Sequence, residues 1–243
     1  DQKVSTVALV EKEDNSDEIV DEFIIQDGVL VDYNGTAEKV VIPDEVKQID
    51  AFAFENCNTI KEVIISDGVT LIGWGAFYSC GSLEKVVMSD SVTTIEEYAF
   101  YGCSNLSEIV FSKNLINFGD NTMFEGTMWL EKQMAQNELV IVNGYLVAAG
   151  TATGKVVIPE RVKTIGDWVF SGREDIEEIV IPTSVEYIGE NAFGGTTWLE
   201  NEKKKNDLVI VNNIVVNGQN CEGVVELPKD TTYIAGAAFE DCM

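Results

Sequence analysis

Cys57, Cys80 and Cys103 recur every 23 residues, and Cys242 holds the same place in the last repeat. Thiols so spaced suggest metal ligation, nucleophilic catalysis or disulfide bonding. Zinc is disfavoured, because a spacing of 23 supplies no close ligand pair and the chain contains no histidine. The same lack removes the base that would activate a thiol or hydroxyl nucleophile. Disulfides between neighbouring repeats need an oxidising compartment, and five cysteines leave one unpaired. Otherwise the cysteines serve as small buried apolar residues. Cys221 lies apart, in a segment where it could be exposed.

Other motifs point weakly to chemistry. Glycoside hydrolysis needs two placed carboxylates, but among 42 acidic residues nothing singles out a pair. Asp14, Ser16 and Glu18 have part of a calcium-loop spacing, without the glycine and terminal glutamate such a loop needs. The stretch "GTATGKV" at 150–156 has three residues between its glycines where a phosphate loop has four, and valine follows its lysine. Trp129 and Trp198 share a T-x-W-L setting. Exposed, they would stack on sugars; buried, they would pack at the base of a hairpin. Trp74 and Trp168 precede repeat phenylalanines and are expected to be partly buried. The expectation is a chain that is not an enzyme, with no catalytic residue, metal site or cofactor.

What positions these residues is a repeat. "IPDEVKQIDAFAFENC" returns as "ISDGVTLIGWGAFYSC" and "MSDSVTTIEEYAFYGC". Equivalent corners fall at Pro43, Ser66, Ser89, Ser112, Pro159, Pro182 and Pro228, with Ile49, Ile72, Ile95, Phe118, Ile165, Ile188 and Ile234 six positions later. Phe54, Phe77, Phe100, Phe124, Phe170, Phe193 and Phe239 follow, the fourth after one extra residue that implies a local bulge. One copy cannot bury its own apolar face, so stacked copies must share a continuous core.

Departures from the period also repeat. Leu130 to Pro159 and Leu199 to Pro228 each span 29 residues, where Ile60 to Ser66 spans six. Each insert holds two apolar runs about a tight turn, at Asn143-Gly144 and Asn212-Asn213, and a third such unit turns at Asp27-Gly28. These are hairpin signals whose central residues need positive φ. The hairpin units are 23–43, 139–159 and 208–228. The charged run 200–207 reads as the solvated start of a hairpin.

Alternation in the strand before each corner separates its two faces. Residues one and three before the corner, such as Val63 and Ile65, point inward. Those two before it are Val41, Ile64, Val87, Val110, Val157 and Val180, a β-branched stripe expected on a concave sheet, followed by Glu226. Those four before it alternate in sign: Lys39, Glu62, Lys85, Glu108, Lys155, Glu178. Two readings stand side by side. The ladder and stripe hold the sheet in register, or the stripe, flanked by Lys85 and Glu108, is a protein-binding face.

The segment "VVMSDSVTTIEEYAFYGCSNL", residues 86–106, with its strand, corner and A-F-x-x-C turn, resembles the BspA-like, or TpLRR-type, leucine-rich repeat family. The lead-in "DGVLVDYNGTAEKVVIP" at 27–43 is similar to those found there. The resemblance implies secreted or surface proteins that act as adhesins or binding modules. The expected fold is thus a leucine-rich repeat solenoid, a strand-rich, curved, right-handed coil of about seven repeats with little helix, occupying 23–243 as a single domain after an acidic segment or edge strand at 1–22. The expected partner is an extracellular protein or matrix component at a bacterial surface; the alternatives are glycan binding through Trp129 and Trp198, or a structural spacer. A net charge of −26 argues against nucleic acid and anionic membranes, and no apolar run is long enough to insert into a bilayer. The first and last residues suggest a processed or excised piece of a longer chain.

Overall fold

The computed structural model describes residues 22–240, which form two compact units, one ending at Lys132 and the other beginning at Gln133. The acidic segment before Glu22, with Asp14, Ser16 and Glu18, lies outside the described residues, as does Cys242.

The first unit opens on an antiparallel hairpin of β1 (Phe23–Gln26) and β2 (Val29–Tyr33). Each following coil gives one strand to each of two parallel sheets. These pairs are β3 (Lys39–Val41) and β4 (Gln48–Ile49), β5 (Glu62–Ile65) and β6 (Leu71–Ile72), β7 (Lys85–Met88) and β8 (Thr94–Ile95), β9 (Glu108–Val110) and β10 (Asn117–Phe118). One sheet runs β3-β5-β7-β9 and the other β1-β2-β4-β6-β8-β10. Helix α1 (Met128–Gln136) contains the boundary between the units.

The second unit repeats the plan. Its hairpin is β11 (Val140–Val142) and β12 (Tyr145–Ala148), followed by β13 (Gly154–Val157), β14 (Thr164–Ile165), β15 (Ile176–Val180) and β16 (Tyr187–Ile188). Then come helix α2 (Thr197–Lys203), the hairpin β17 (Val209–Val211) and β18 (Ile214–Asn217), and β19 (Tyr233–Ile234). The turns adopt the expected positive φ, at Asp27 and Gly28, Asn143 and Gly144, Asn212 and Asn213. The hairpins are more than inserts. The second strand of each pairs in parallel with the next coil, β2 with β4, β12 with β14 and β18 with β19, so each serves as a rung of its sheet.

The phenylalanine spine is the core. Phe54, Phe77, Phe100 and Phe124 are buried and stack face to face at centroid distances of 4.7, 5.2 and 5.9 Å, and Phe170 stacks on Phe193 at 5.7 Å. Buried rows of Ile49, Ile72 and Ile95, and of Val46, Val69, Val92 and Leu115, run beside it. Phe118 is only half-buried, and in the last coil described Ile234 is exposed and Phe239 half-buried. The extra residue before Phe124 is absorbed by a 3-10 turn at Asn121–Phe124, capped by the Asp120 carboxylate, which accepts from the Thr122 N–H.

Two sequence expectations need correction here. The segment 200–207 does not begin a hairpin. Glu200 to Lys203 form the end of α2, and the charges pair along the chain, Lys203 with Glu200 at 3.1 Å and Lys205 with Glu202 at 2.8 Å. Glu226, expected to extend the outward stripe, lies outside any strand.

Candidate functional site

The outward stripe is present on both units, on separate sheets. In the first unit Val41, Ile64, Val87 and Val110 are register partners along β3-β5-β7-β9. In the second Val157 pairs with Val180 on β13-β15. Val41 (51%), Val110 (44%), Val157 (59%) and Val180 (40%) are exposed, while Ile64 and Val87 are half-buried. The inward neighbours Val63, Ile65, Val86 and Met88 are buried, as the alternation requires. Next to Ile64 and Val87 an open groove of about 570 Å³ is bordered by Asp44, Ser66, Asp67 and Ser89.

The charge row resolves into separate pairs: Lys39–Glu62 at 3.1 Å, Lys85–Glu108 at 2.6 Å and Lys155–Glu178 at 2.6 Å. Each lysine takes the glutamate one coil further on. The hydrogen bond to Glu108 holds the Lys85 ammonium above its ordinary pKa, and Glu62 adds a smaller Coulombic push. Because the cations along the row are neutralised in place, the stripe itself presents aliphatic surface.

Trp129 and Trp198 do not lie where a sugar could reach them. Both are 8% exposed, in the first turns of α1 and α2. Trp129 packs on Phe111 and Phe124 at 5.3 and 5.0 Å, and Trp198 on Phe193 at 4.8 Å. The cause lies one position before each helix. Thr127 and Thr196 replace the repeat cysteine, donate to the carbonyls of Phe124 and Phe193, and accept from the N–H groups of Leu130 and Leu199. This capping starts a helix where other coils turn, and it rolls the indole inward. Glycan stacking through these two residues is therefore withdrawn.

Two of the repeat cysteines are core thiols. Cys80 and Cys103 are buried, and their Sγ–H groups donate to the carbonyls of Phe54 and Phe77 at 2.9 and 3.0 Å. Cys57, which is half-buried, and Cys80 and Cys103 carry free thiols, while the half-buried Cys221 donates its Sγ–H to the Asp207 carbonyl at 3.4 Å. Burial, with smaller contributions from Cys80 and Asp32, pushes the Cys57 thiol up to about 11 from an ordinary 9.0. The neutral thiol is thus favoured by folding. That contribution is complete below pH 9 and disappears as the pH rises towards 11. We expect the urea midpoint to fall over that interval, and Cys57→Ala to reduce the fall. At pH 8 iodoacetamide should alkylate native Cys57 at least about tenfold more slowly than in urea, read by peptide mass spectrometry.

One surface went unread in the sequence. Phe52, Trp74, Tyr78, Tyr98 and Tyr101 form a connected group of rings outside the spine of the first unit, with Phe52 and Trp74 exposed. Trp74 was expected to be partly buried; at 36% exposure it lies at the surface, and so does Trp168 at 45%. The signal was available, since these aromatics recur two or three residues before, or one after, the spine phenylalanine.

Among the described residues no three Cys, Asp or Glu side chains are arranged to hold a metal, and no helix is long and apolar enough to cross a membrane. Residues 32–149 and 143–243 match the family model described as BspA type leucine rich repeat region, in six copies. A comparison with curated proteins returned no match. Among solved structures, a leucine rich repeat protein of T. pallidum is 23% identical, with 74% of this chain and 88% of that one covered and a TM-score of 0.46. A leucine rich cell surface protein of Faecalibacterium prausnitzii A2-165 is 24% identical over 94% of this chain and 53% of that one, with a TM-score of 0.46. A leucine-rich repeat protein of Bacteroides ovatus is 19% identical over 97% and 69%, with a TM-score of 0.47.

Proposed function

Because the chain belongs to the BspA-type leucine-rich repeat family, whose members are generally non-catalytic protein-interaction scaffolds, we propose that it is a recognition module binding an extracellular protein or matrix component at a bacterial surface. The supporting observation is the aliphatic stripe, which keeps Val41 and Val110 exposed and half-exposes Ile64 and Val87 on a rigid parallel sheet. A sheet that only had to stay in register would gain as much from polar β-branched residues there. The flanking lysines are already paired, so the partner is met by shape and apolar contact, with Asp44 and Asp67 at the groove margin supplying polarity. The surface location has a parallel in the F. prausnitzii protein, described as a cell surface protein.

The test is a binding screen of the chain against purified matrix proteins and mucin, with a glycan array alongside, at two salt concentrations. For a saturable protein partner, the double variant Val87→Lys, Val110→Lys should weaken binding by more than about tenfold, or about 1.4 kcal/mol. Its melting temperature should stay near that of the parent, because both side chains are already partly in water. Undiminished binding would remove the stripe from the interface. A chain that binds nothing in the screen would instead be a spacer.

A further inference from the structure

The ring group of the first unit sits beside an acidic groove, and together they have the composition of a receptor for a cation. The groove, about 330 Å³, runs between Trp74 and Phe118 over Thr94 and Ile95, with Glu96 and Glu97 along it. The Glu96 carboxylate accepts from the Trp74 backbone N–H at 2.9 Å, and the Glu97 carboxylate from the indole Nε1–H at 3.4 Å. Both carboxylates are thereby fixed against the tryptophan. Among the described residues neither forms an ion pair, in contrast to the lysine-matched glutamates of the neighbouring sheet.

The rings are held at a cost. Phe52 and Tyr98 have φ of 60° and 57°, a region that favours glycine, and Gly75 occupies the equivalent place in the coil between them. A Cβ on Gly75 would meet the Phe52 ring at 3.0 Å, so the glycine makes room for its aromatic neighbour. Phe52 and Tyr98 then brace Trp74 from either side, at 4.9 and 5.0 Å. The left-handed place itself belongs to the repeat, being taken also by Trp168, Asn191 and Ala237; what is particular to the first unit is that Phe52 and Tyr98 occupy it with rings packed round one indole at the surface.

We propose that Trp74, Glu96 and Glu97, walled by Phe118 and braced by Tyr98 and Phe52, receive an arginine or lysine side chain from an extended basic segment of a partner protein. The aliphatic stem lies along the apolar walls, the cationic head meets the carboxylates, and the indole contributes a cation–π contact. The net charge of −26 steers such a segment in. The proposal rests on reading the chain as a recognition module, but uses a different sheet from the stripe.

The probe is a fluorescein-labelled peptide with four arginines on a Gly/Ser backbone, followed by fluorescence anisotropy at about 0.15 M salt, where diffuse attraction is screened. Saturable binding is expected, weakened at least about tenfold by Trp74→Leu, which leaves the net charge unchanged, and similarly by Glu97→Gln. Glu160→Gln, which removes an equal charge elsewhere, should leave it unaltered, as should the stripe variant once corrected for its two added charges with a charge-matched control. Circular dichroism checks that each variant is folded; should Trp74→Leu not be, Glu97→Gln against Glu160→Gln decides alone. Equal binding by these two variants, or by Trp74→Leu and the parent, would reduce the effect to general attraction and overturn the proposal. So would no binding by the parent, or Trp74-dependent binding on a glycan array in its place.

Discussion

Replacing Phe100 with alanine is expected to destabilise the first unit by about 3–5 kcal/mol, seen as a large drop in urea midpoint. Phe100 is fully buried, with Phe77 5.2 Å away on one side and Phe124 5.9 Å on the other, all three rings nearly parallel. The void left by the ring cannot close by sliding the coils together. Their spacing is set by backbone hydrogen bonds from Phe77 N–H to the Ala99 carbonyl and from Phe100 N–H to the Met123 carbonyl, at 2.8 and 2.9 Å. An incompletely collapsing site gives the upper part of the range for a large-to-small change. Phe239→Ala should cost much less, since that ring is half-buried. An unchanged midpoint for Phe100→Ala would show that the phenylalanine row does not carry the core.

Arg173→Ala should be the second severe change, at about 3 kcal/mol, measured the same way. Arg173 stands where other coils have cysteine, and its guanidinium closes the loop after β12. Nη1 donates to the carbonyls of Ala149 and Gly150 at 2.7 and 3.3 Å, and Nη2 donates to that of Ala152. Ala149 and Ala152 are buried, so truncation leaves their carbonyls without a charged donor and with little access to water. Asp175 holds the fork from outside at 2.9 and 3.0 Å, and the hydrogen bonds from Arg173 keep its carboxyl below the ordinary carboxylate range. Asp175→Asn should therefore lose only a small part of the effect. Arg173→Lys should not restore it, because a single ammonium cannot span three carbonyls.

The architecture was legible because its signals are periodic. A phenylalanine every 23 residues and an alternating strand before each corner specify which side chains share a layer, and the register pairs Lys39–Glu62, Val41–Ile64 and Val87–Val110 follow directly. Turn chemistry is local, so Asn143-Gly144 declared its hairpin without help from tertiary structure. The helices were missed because their signal is one residue at one position. Thr127 and Thr196 stand where other coils have cysteine, and their hydroxyls both donate and accept and so begin a helix. Burial of Trp129 and Trp198 followed from that. The surface rings escaped for a different reason: the direction of Phe52 and Tyr98 depends on a left-handed backbone, which residue type argues against.

The hairpins bear on how the chain finds this arrangement. A two-residue turn preset to positive φ closes with almost no loop entropy, whereas each parallel rung must bring together strands about 23 residues apart before any hydrogen bond forms. The pairs β1–β2, β11–β12 and β17–β18 can thus form early and alone, and each offers its second strand as a ready template for the coil that follows. Assembly would then spread outward from three seeds, each added coil finding its edge already built, and the slow search for a first parallel pairing would be bypassed.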